Sequence, residues 1–332
     1  MLASVVIPCW NVERWLERCL DEVMPVLPPD CEAIAVDDGS TDSTLQILRR
    51  RAAADSRLRV VQSAHRGVSA ARNLALDAAC GEYLFFVDPD DGVEPDFFSA
   101  MLAAAKNADY CLCAFRFREG DVFRDSRLKG DYRYGSNEEI VREYLPRIFG
   151  YSFDDVRRWY GGESLFSRRE LAGVTRGCFR RGLIERFGIR FDENIELFED
   201  AMFNAEYLLH AQSMACVDRA LYRCTVRDSG AMRTVPRDPL RFCRNKLALL
   251  RRREAIDSGG GLAGVYAASC VFSLLEVVLA TAKGGLPLRE GRRIAGEMLA
   301  DGRVRAALKG FPLSVRRPLL AAAVWVLRTF FA

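Results

Sequence analysis

Ala33-Ile34-Ala35-Val36-Asp37-Asp38-Gly39-Ser40-Thr41-Asp42 is the stretch on which the fold turns. Four apolar residues in succession stop at two acids, and a glycine–hydroxyl cluster then leads into an amphipathic run over 43–54. A strand that is continuously apolar, rather than alternating, suits a sheet covered on both faces. Ser40 or Thr41 stands where a helix N-cap is expected. The same order of events recurs on either side. Residues 4–7 end in Pro8-Cys9-Trp10-Asn11 before a helical pattern over 12–24, and residues 83–87 end in Asp88-Pro89-Asp90-Asp91-Gly92 before one over 95–105. Strands at 58–62 and 110–117, with a helix over 68–79, complete the alternation. The expected fold is therefore α/β, with a mainly parallel sheet flanked by helices.

After the fifth strand the alternation stops. Residues 118–127 read as a charged turn, 136–148 and 199–210 as helices, and 215–217 and 220–224 as short strands. From about residue 236 the pattern is helical throughout, at 239–256, 262–282, 288–299 and 314–331. Gly259-Gly260-Gly261 and Gly284-Gly285 punctuate it as turns. The expected organisation is a catalytic domain over 1–235 and a helical C-terminal appendage over 236–332. That appendage holds 17 Lys and Arg against 7 Asp and Glu, a balance of +10, which leaves −7 for the first 235 residues of a chain whose net charge is +3. Such asymmetry suits a basic element beside an anionic surface, either phospholipid or a phosphorylated acceptor.

Eleven cysteines without CxxC pairs, and only two histidines, argue for reduced thiols in the core of a protein kept in a reducing compartment. The opening residues run straight into a strand without a basic leader, so no secretion signal is expected. Residues 262–282 are apolar but carry Glu276 and several small residues, which favours a buried helix over a bilayer span.

In an open parallel sheet, ligands bind beyond the carboxyl ends of the strands. Here two acidic clusters, at 37–42 and 88–91, come to neighbouring strand ends. They repel one another unless a cation or hydrogen-bond donors lie between them, and a hard divalent cation shared with phosphate does this. Asp, Gly, Ser and Pro are also ordinary turn residues, and an isolated Asp-x-Asp means little. The conjunction matters more. Neither a Gly-x-Gly-x-x-Gly after the first strand nor a Walker-type Gly-Lys-Ser/Thr is present, so a nucleotide would be held by carboxylates and metal.

Four segments in order, Ser4-Val5-Val6-Ile7-Pro8-Cys9-Trp10-Asn11, Val36-Asp37-Asp38-Gly39-Ser40-Thr41-Asp42, Gly67-Val68-Ser69-Ala70-Ala71-Arg72-Asn73 and Gly81-Glu82-Tyr83-Leu84-Phe85-Phe86-Val87-Asp88-Pro89-Asp90-Asp91, closely resemble the family 2 glycosyltransferases of GT-A fold. The resemblance is strong over 1–110 and continues more weakly through Ile189-Arg190-Phe191-Asp192-Glu193 and Glu199-Asp200-Ala201-Met202-Phe203. It implies an inverting transferase that moves a sugar from a nucleotide-diphosphate donor, a UDP-sugar, to a hydroxyl. It places Asp38 at the uracil with Pro8 lining the same pocket, Arg72 near the nucleotide, and Asp88 and Asp90 at the ribose, diphosphate and metal, with Asp90 the direct ligand. It makes Asp200 the catalytic base, with Glu199 as fallback. The implied cofactor is Mn²⁺ or Mg²⁺, which would neutralise charge growing on the leaving diphosphate. A sugar hydroxyl is a poor nucleophile, so a carboxylate within reach must take its proton, and one in-line attack inverts the anomeric centre.

The chain also departs from the family. A Trp and a Lys common before the Phe-Arg-Arg segment are replaced by Thr175-Arg176-Gly177-Cys178, so Arg176 is a candidate substitute cation toward the acceptor. Arg223, Arg227 and Arg233 flank Asp228-Ser229-Gly230, and Arg227 and Arg233 are candidate diphosphate contacts. No Gln-x-x-Arg-Trp is present, so one sugar per encounter is expected. The acceptor is read as a glycan or a lipid-linked saccharide, and no nucleic-acid partner is indicated. The C-terminal run around Trp325, with basic flanks, suits an interfacial anchor, placing the protein in the cytoplasm or peripherally at the inner membrane face. Two other functions use the same kind of sheet. A catalytically inactive scaffold has no reason to keep Asp38, Asp88, Asp90 and Asp200 together, and a nucleotidyltransferase would show a Gly-rich loop where Cys9-Trp10-Asn11 stands.

Overall fold

The computed structural model describes residues 1–120, 122–126, 128, 132–160, 172–226, 238–257 and 261–309. They divide into two compact units. The first comprises Met1–Ile140, Ala172–Glu193 and Glu199–Asp228, and the second Val141–Leu171, Asn194–Phe198 and Ser229–Ala332.

The first unit is mixed α/β. Its sheet begins with β1 (Ala3–Cys9), β2 (Glu32–Asp38), β3 (Leu58–Ser63) and β4 (Tyr83–Phe86), all pairing in parallel, in spatial order β3-β2-β1-β4. Every residue of β1, β2 and β4 is buried, as continuous apolar strands require. Successive side chains serve opposite faces. Val5, Ile7 and Phe85 join the core beneath α1 (Glu13–Val23) and α4 (Phe97–Ala105), while Phe86 turns the other way onto Phe179, Phe191 and Phe203. Helices α2 (Thr44–Ala54) and α3 (Val68–Ala78) complete the crossovers.

The fifth expected strand forms as β6 (Tyr110–Glu119), but it does not neighbour β4. The short β8 (Gly177–Arg180) lies between them, antiparallel to both. The two strands expected at 215–217 and 220–224 are one, β9 (Met214–Thr225), which runs parallel to β6 across a register shift at Cys113 and Ala114. The stretch expected as a charged turn is largely a hairpin, because β6 continues to Glu119 and pairs with β7 (Val122–Asp125). A two-residue β5 (Gly92–Val93) joins β9. Helices α5 (Arg181–Phe187) and α6 (Glu199–Leu208) finish this unit.

The helix expected over 136–148 is interrupted by a π-helical turn, Ile140–Tyr144, between Asn137–Glu139 and Leu145–Phe149. In the second unit, α7 (Pro239–Ile256) begins at an Asp238 cap whose Oδ1 accepts from the Leu240 and Arg241 amides, both at 3.1 Å. It packs with α8 (Ala263–Ala282), α9 (Leu288–Ala300) and α10 (Gly302–Lys309). By length and composition α8 could cross a bilayer, yet its residues Tyr266–Leu275 are buried against neighbouring helices. Lys246 lies 2.8 Å from Glu276, so the single acid of that apolar helix is paired within the bundle. The cysteines are free thiols, all buried or half-buried except Cys80. The expected helix over 314–331 lies outside the described residues.

Candidate active site

The parallel register puts the ends of β1, β2 and β4 side by side, with Cys9 opposite Asp37 and Val6 opposite Phe86. Asn11, at φ 50°, ties the first two exits together. Its amide donates to Ser40 Oγ (3.0 Å), and its Oδ1 accepts from the Thr41 amide (2.8 Å) and from Thr41 Oγ1 (3.3 Å). Ser40 and Thr41 are thus used in this tie and do not cap α2, which follows Ser43 without a side-chain cap; just ahead of it Asp42 Oδ1 accepts from the Thr44 amide at 2.9 Å. Gly39 sits at φ +71°, and a Cβ there would come within 2.8 Å of the His65 amide nitrogen. Only glycine allows this loop approach.

Asp38 is almost fully buried and faces the loop before α3. Its carboxylate accepts from Ser63 Oγ (3.0 Å), the Arg66 amide (3.0 Å) and the Gly67 amide (2.7 Å), and lies 2.9 Å from His65 Nδ1. A base contact by Asp38 would share its oxygens with these donors. His65 in turn stacks on Trp10, with centroids 4.3 Å apart, and Trp10 is 49% exposed. The two rings make a flat wall past the end of β1, at the exit where the base was expected.

At the end of β4, the turn carrying Asp88, Asp90 and Asp91 is fixed from two sides. The Asp88 amide donates to Tyr222 Oη (3.0 Å), and that hydroxyl donates to Asp91 Oδ2 (2.9 Å). The Thr225 amide donates to Asp91 Oδ1 at 2.7 Å, and Arg18 donates to the Asp90 carbonyl at 2.6 Å. Burial, then the charges of Asp90 and Asp88, push the Asp91 carboxyl well above the ordinary carboxylate range. Asp91 is a structural strut, whereas the Asp88 side chain stays 34% exposed.

Arg72, on the inner face of α3, joins this turn to α6. Its guanidinium donates to Asp88 Oδ1 (3.0 Å) and to Glu199 Oε1 (2.9 Å) while lying over the Phe191 ring at 5.2 Å. The next residue, Asn73, exchanges two 2.9 Å hydrogen bonds with the Phe191 backbone, so two segments far apart in sequence lock together. Asp200 follows Glu199 at the start of α6. Its carboxyl is pushed up to about 7, first by burial and then by the Glu199 charge, against the pull of Arg72 and the Ala201 amide. A carboxyl that ionises there suits proton abstraction near neutrality.

All the expected site residues that the structure describes lie in the first unit. Asp88, Arg72, Glu199 and Asp200 are brought together. Arg176 is 1% exposed and lies over the Phe115 ring at 5.4 Å. Arg223 pairs with Glu22 (2.8 Å), and Arg227 and Arg233 lie outside the described residues. The sequence reading did not single out Asn73, Tyr222, Asp91 or Arg18. Asp91 stands in the quoted acidic run, and Asn73 in the quoted Ala-Arg-Asn, so both were visible as letters. Among the described residues no three His, Cys, Asp or Glu side chains converge to hold a metal. Asp88 and Asp90 nevertheless share the turn at the end of β4, and at the end of β2 the buried Asp37 Oδ1 has no hydrogen-bond partner among the described residues. That suits a hard cation sharing its shell with phosphate rather than one caged by protein.

The model of glycosyl transferase family 2 matches residues 4–167. EpsJ of Bacillus subtilis, described as an uncharacterized glycosyltransferase, is 30% identical over 223 residues, or 67% of this chain and 60% of EpsJ. The chain spans less than two thirds of the length of the first curated relatives it matches. Among solved structures, S. aureus TarS 1-349 in complex with UDP-GlcNAc superposes with a TM-score of 0.70 at 21% identity, covering 99% of this chain and 91% of that one. The mannosyltransferase PcManGT of Pyrobaculum calidifontis, in complex with GDP-Man and Mn²⁺, gives 0.51 at 17%, covering 99% and 87%. These likenesses establish the GT-A fold.

Proposed function

The chain belongs to glycosyl transferase family 2 through residues 4–167, and on that premise we propose that it is an inverting glycosyltransferase. It takes a hexose from a UDP-sugar and adds one unit per encounter to a hydroxyl of a glycan or lipid-linked saccharide. The observation that carries this reading is the convergence of Asp88, Arg72 and the Glu199–Asp200 pair, which sets a donor-side carboxylate beside a base that ionises near 7.

The base is bound at the exits of β1 and β2, between Pro8, the Trp10–His65 wall and the loop organised by Asp38. Asp88 and Asp90 would hold Mg²⁺ or Mn²⁺ together with the donor phosphates, and a bound cation supplies neutralisation of charge on the leaving diphosphate. Asp200 removes the acceptor proton as the new bond forms. Arg227 and Arg233 are the cations proposed for the diphosphate. Residues 1–235 form the catalytic part, and the basic region over 236–332 holds the protein at the inner face of a membrane.

Release of nucleoside diphosphate from UDP-, GDP- and dTDP-sugars, in Mn²⁺, Mg²⁺ or EDTA, tests the reading. Metal-dependent release from a UDP-sugar, lost in D90A and D200N, is expected. A folded protein that binds no nucleotide sugar with either metal refutes it.

A further inference from the structure

Two carboxylates adjacent in sequence, Glu199 and Asp200, begin one helix, and only one can serve the acceptor. Their surroundings differ. Glu199 has a side chain 13% exposed and takes a charge-assisted bond from Arg72 at 2.9 Å. Among the described residues Asp200 Oδ1 accepts from the amide of Ala201, at 2.8 Å, and its Oδ2 looks toward Gly173. A Cβ at position 173 would stand 3.6 Å from that oxygen and 3.1 Å from Phe115 Cζ, so the missing side chain leaves room in front of the carboxylate.

We propose that Arg72 is a positioning residue, which holds Glu199 as a fixed anchor, ties it to the donor-side turn through Asp88, and thereby leaves Asp200 as the available base. The inference rests on the reading of Asp200 as base and adds how the pair is divided. Arg72 is well placed for this because it cannot easily move. Its side chain is 5% exposed over Phe191, which stacks on Phe203 at 4.1 Å and is locked by Asn73 from α3 itself.

The charged groups acting on Asp200 come from three elements: Glu199 on its own helix, Arg72 on α3 and Asp88 at the end of β4. The turn before β8 presents the Gly173 backbone, and its cation Arg176 lies over Phe115. Among the described residues, Arg72 is the cation whose charge pulls most on this carboxylate. Its Nη1 and Nη2 atoms are turned to Glu199 and Asp88 respectively. A bidentate guanidinium spanning two carboxylates is not replaced by an ammonium, which reaches one as a point charge.

The test uses the full chain with ¹³C-labelled carboxyls, with Asp200 assigned by the resonance lost in D200N. In R72Q the Asp200 midpoint should climb by about one to three units, since the Arg72 charge that pulls it down is gone. R72K should restore part of that shift. An Asp200 midpoint unmoved in R72Q would overturn the proposal. If R72Q does not fold, the R72K midpoint decides by the same criterion. The titration needs no turnover, so a shift in a protein that transfers no sugar would sink the enzymatic reading while leaving the link from Arg72 to Asp200 standing.

Discussion

Asp200 is the residue through which pH should act. Its carboxyl ionises at about 7 in the folded protein, well above its ordinary value, because burial and Glu199 oppose the charge. The base must be ionised, so kcat/KM should rise with pH and level off above about 7, and D200N should lose roughly 10²–10⁴-fold. Stability follows the opposite slope. Between the unfolded and folded ionisation ranges the folded state holds the extra proton, so stability falls as pH rises through that window. D200N should therefore flatten the pH dependence of thermal unfolding and gain on the parent protein most above pH 7. A parent melting profile already flat from pH 4 to 7 would contradict the burial of this group. Tyr222 offers a second check. Removing its hydroxyl leaves the Asp88 amide and Asp91 Oδ2 without their shared partner, so Y222F should cost about 1–3 kcal/mol. It should also raise the half-saturating Mn²⁺ concentration for donor turnover, because the turn carrying Asp88 and Asp90 loses its support.

At the scale of elements, α3 does most to assemble the site, since it presents Arg72 and Asn73 one after the other. N73A removes two hydrogen bonds to the Phe191 backbone and should destabilise the first unit by about 1–3 kcal/mol. It should lower kcat more than donor affinity, because the floor under Arg72 moves. Equal loss of both would place Asn73 in donor binding instead. The strands β1, β2, β4 and β6 were legible because each is an apolar run bounded by turn chemistry, and the helices α7, α8 and α9 because their periodicity is long. β8 was not legible, since Gly177-Cys178-Phe179-Arg180 is short and pairs only with strands distant in sequence. β9 read as two strands because Asp218 and Arg219 are polar, and the register shift that accommodates them exists only against β6. In the site, the acidic letters were plain, but Asp38 as the organiser of a loop, Asp91 as a strut and Arg72 as a bridge depend on who stands opposite, which no local pattern encodes.

At the scale of the whole molecule, the +10 balance over 236–332 sets an expectation about surfaces. The chain should cosediment with vesicles rich in anionic lipid, and less so as salt is raised. Removal of residues 319–332 should weaken that binding, and a folded truncation that pelleted unchanged would place the anchor elsewhere. The ties that hold the site also fix when it can exist. Arg72 reaches Glu199 across 127 positions of chain, and the Asp88 amide reaches Tyr222 across 134. Contacts this remote close late, after much loop entropy has been spent. During synthesis, a nascent chain can emerge with its first four strands complete and still lack both the proton acceptor and the brace behind its acidic turn. The ribosome must release about two thirds of the protein before the ties to Glu199 and Tyr222 can both close. On the proposed function, a fragment ending within that span should transfer no sugar, so transfer activity would double as a report that translation ran past Tyr222.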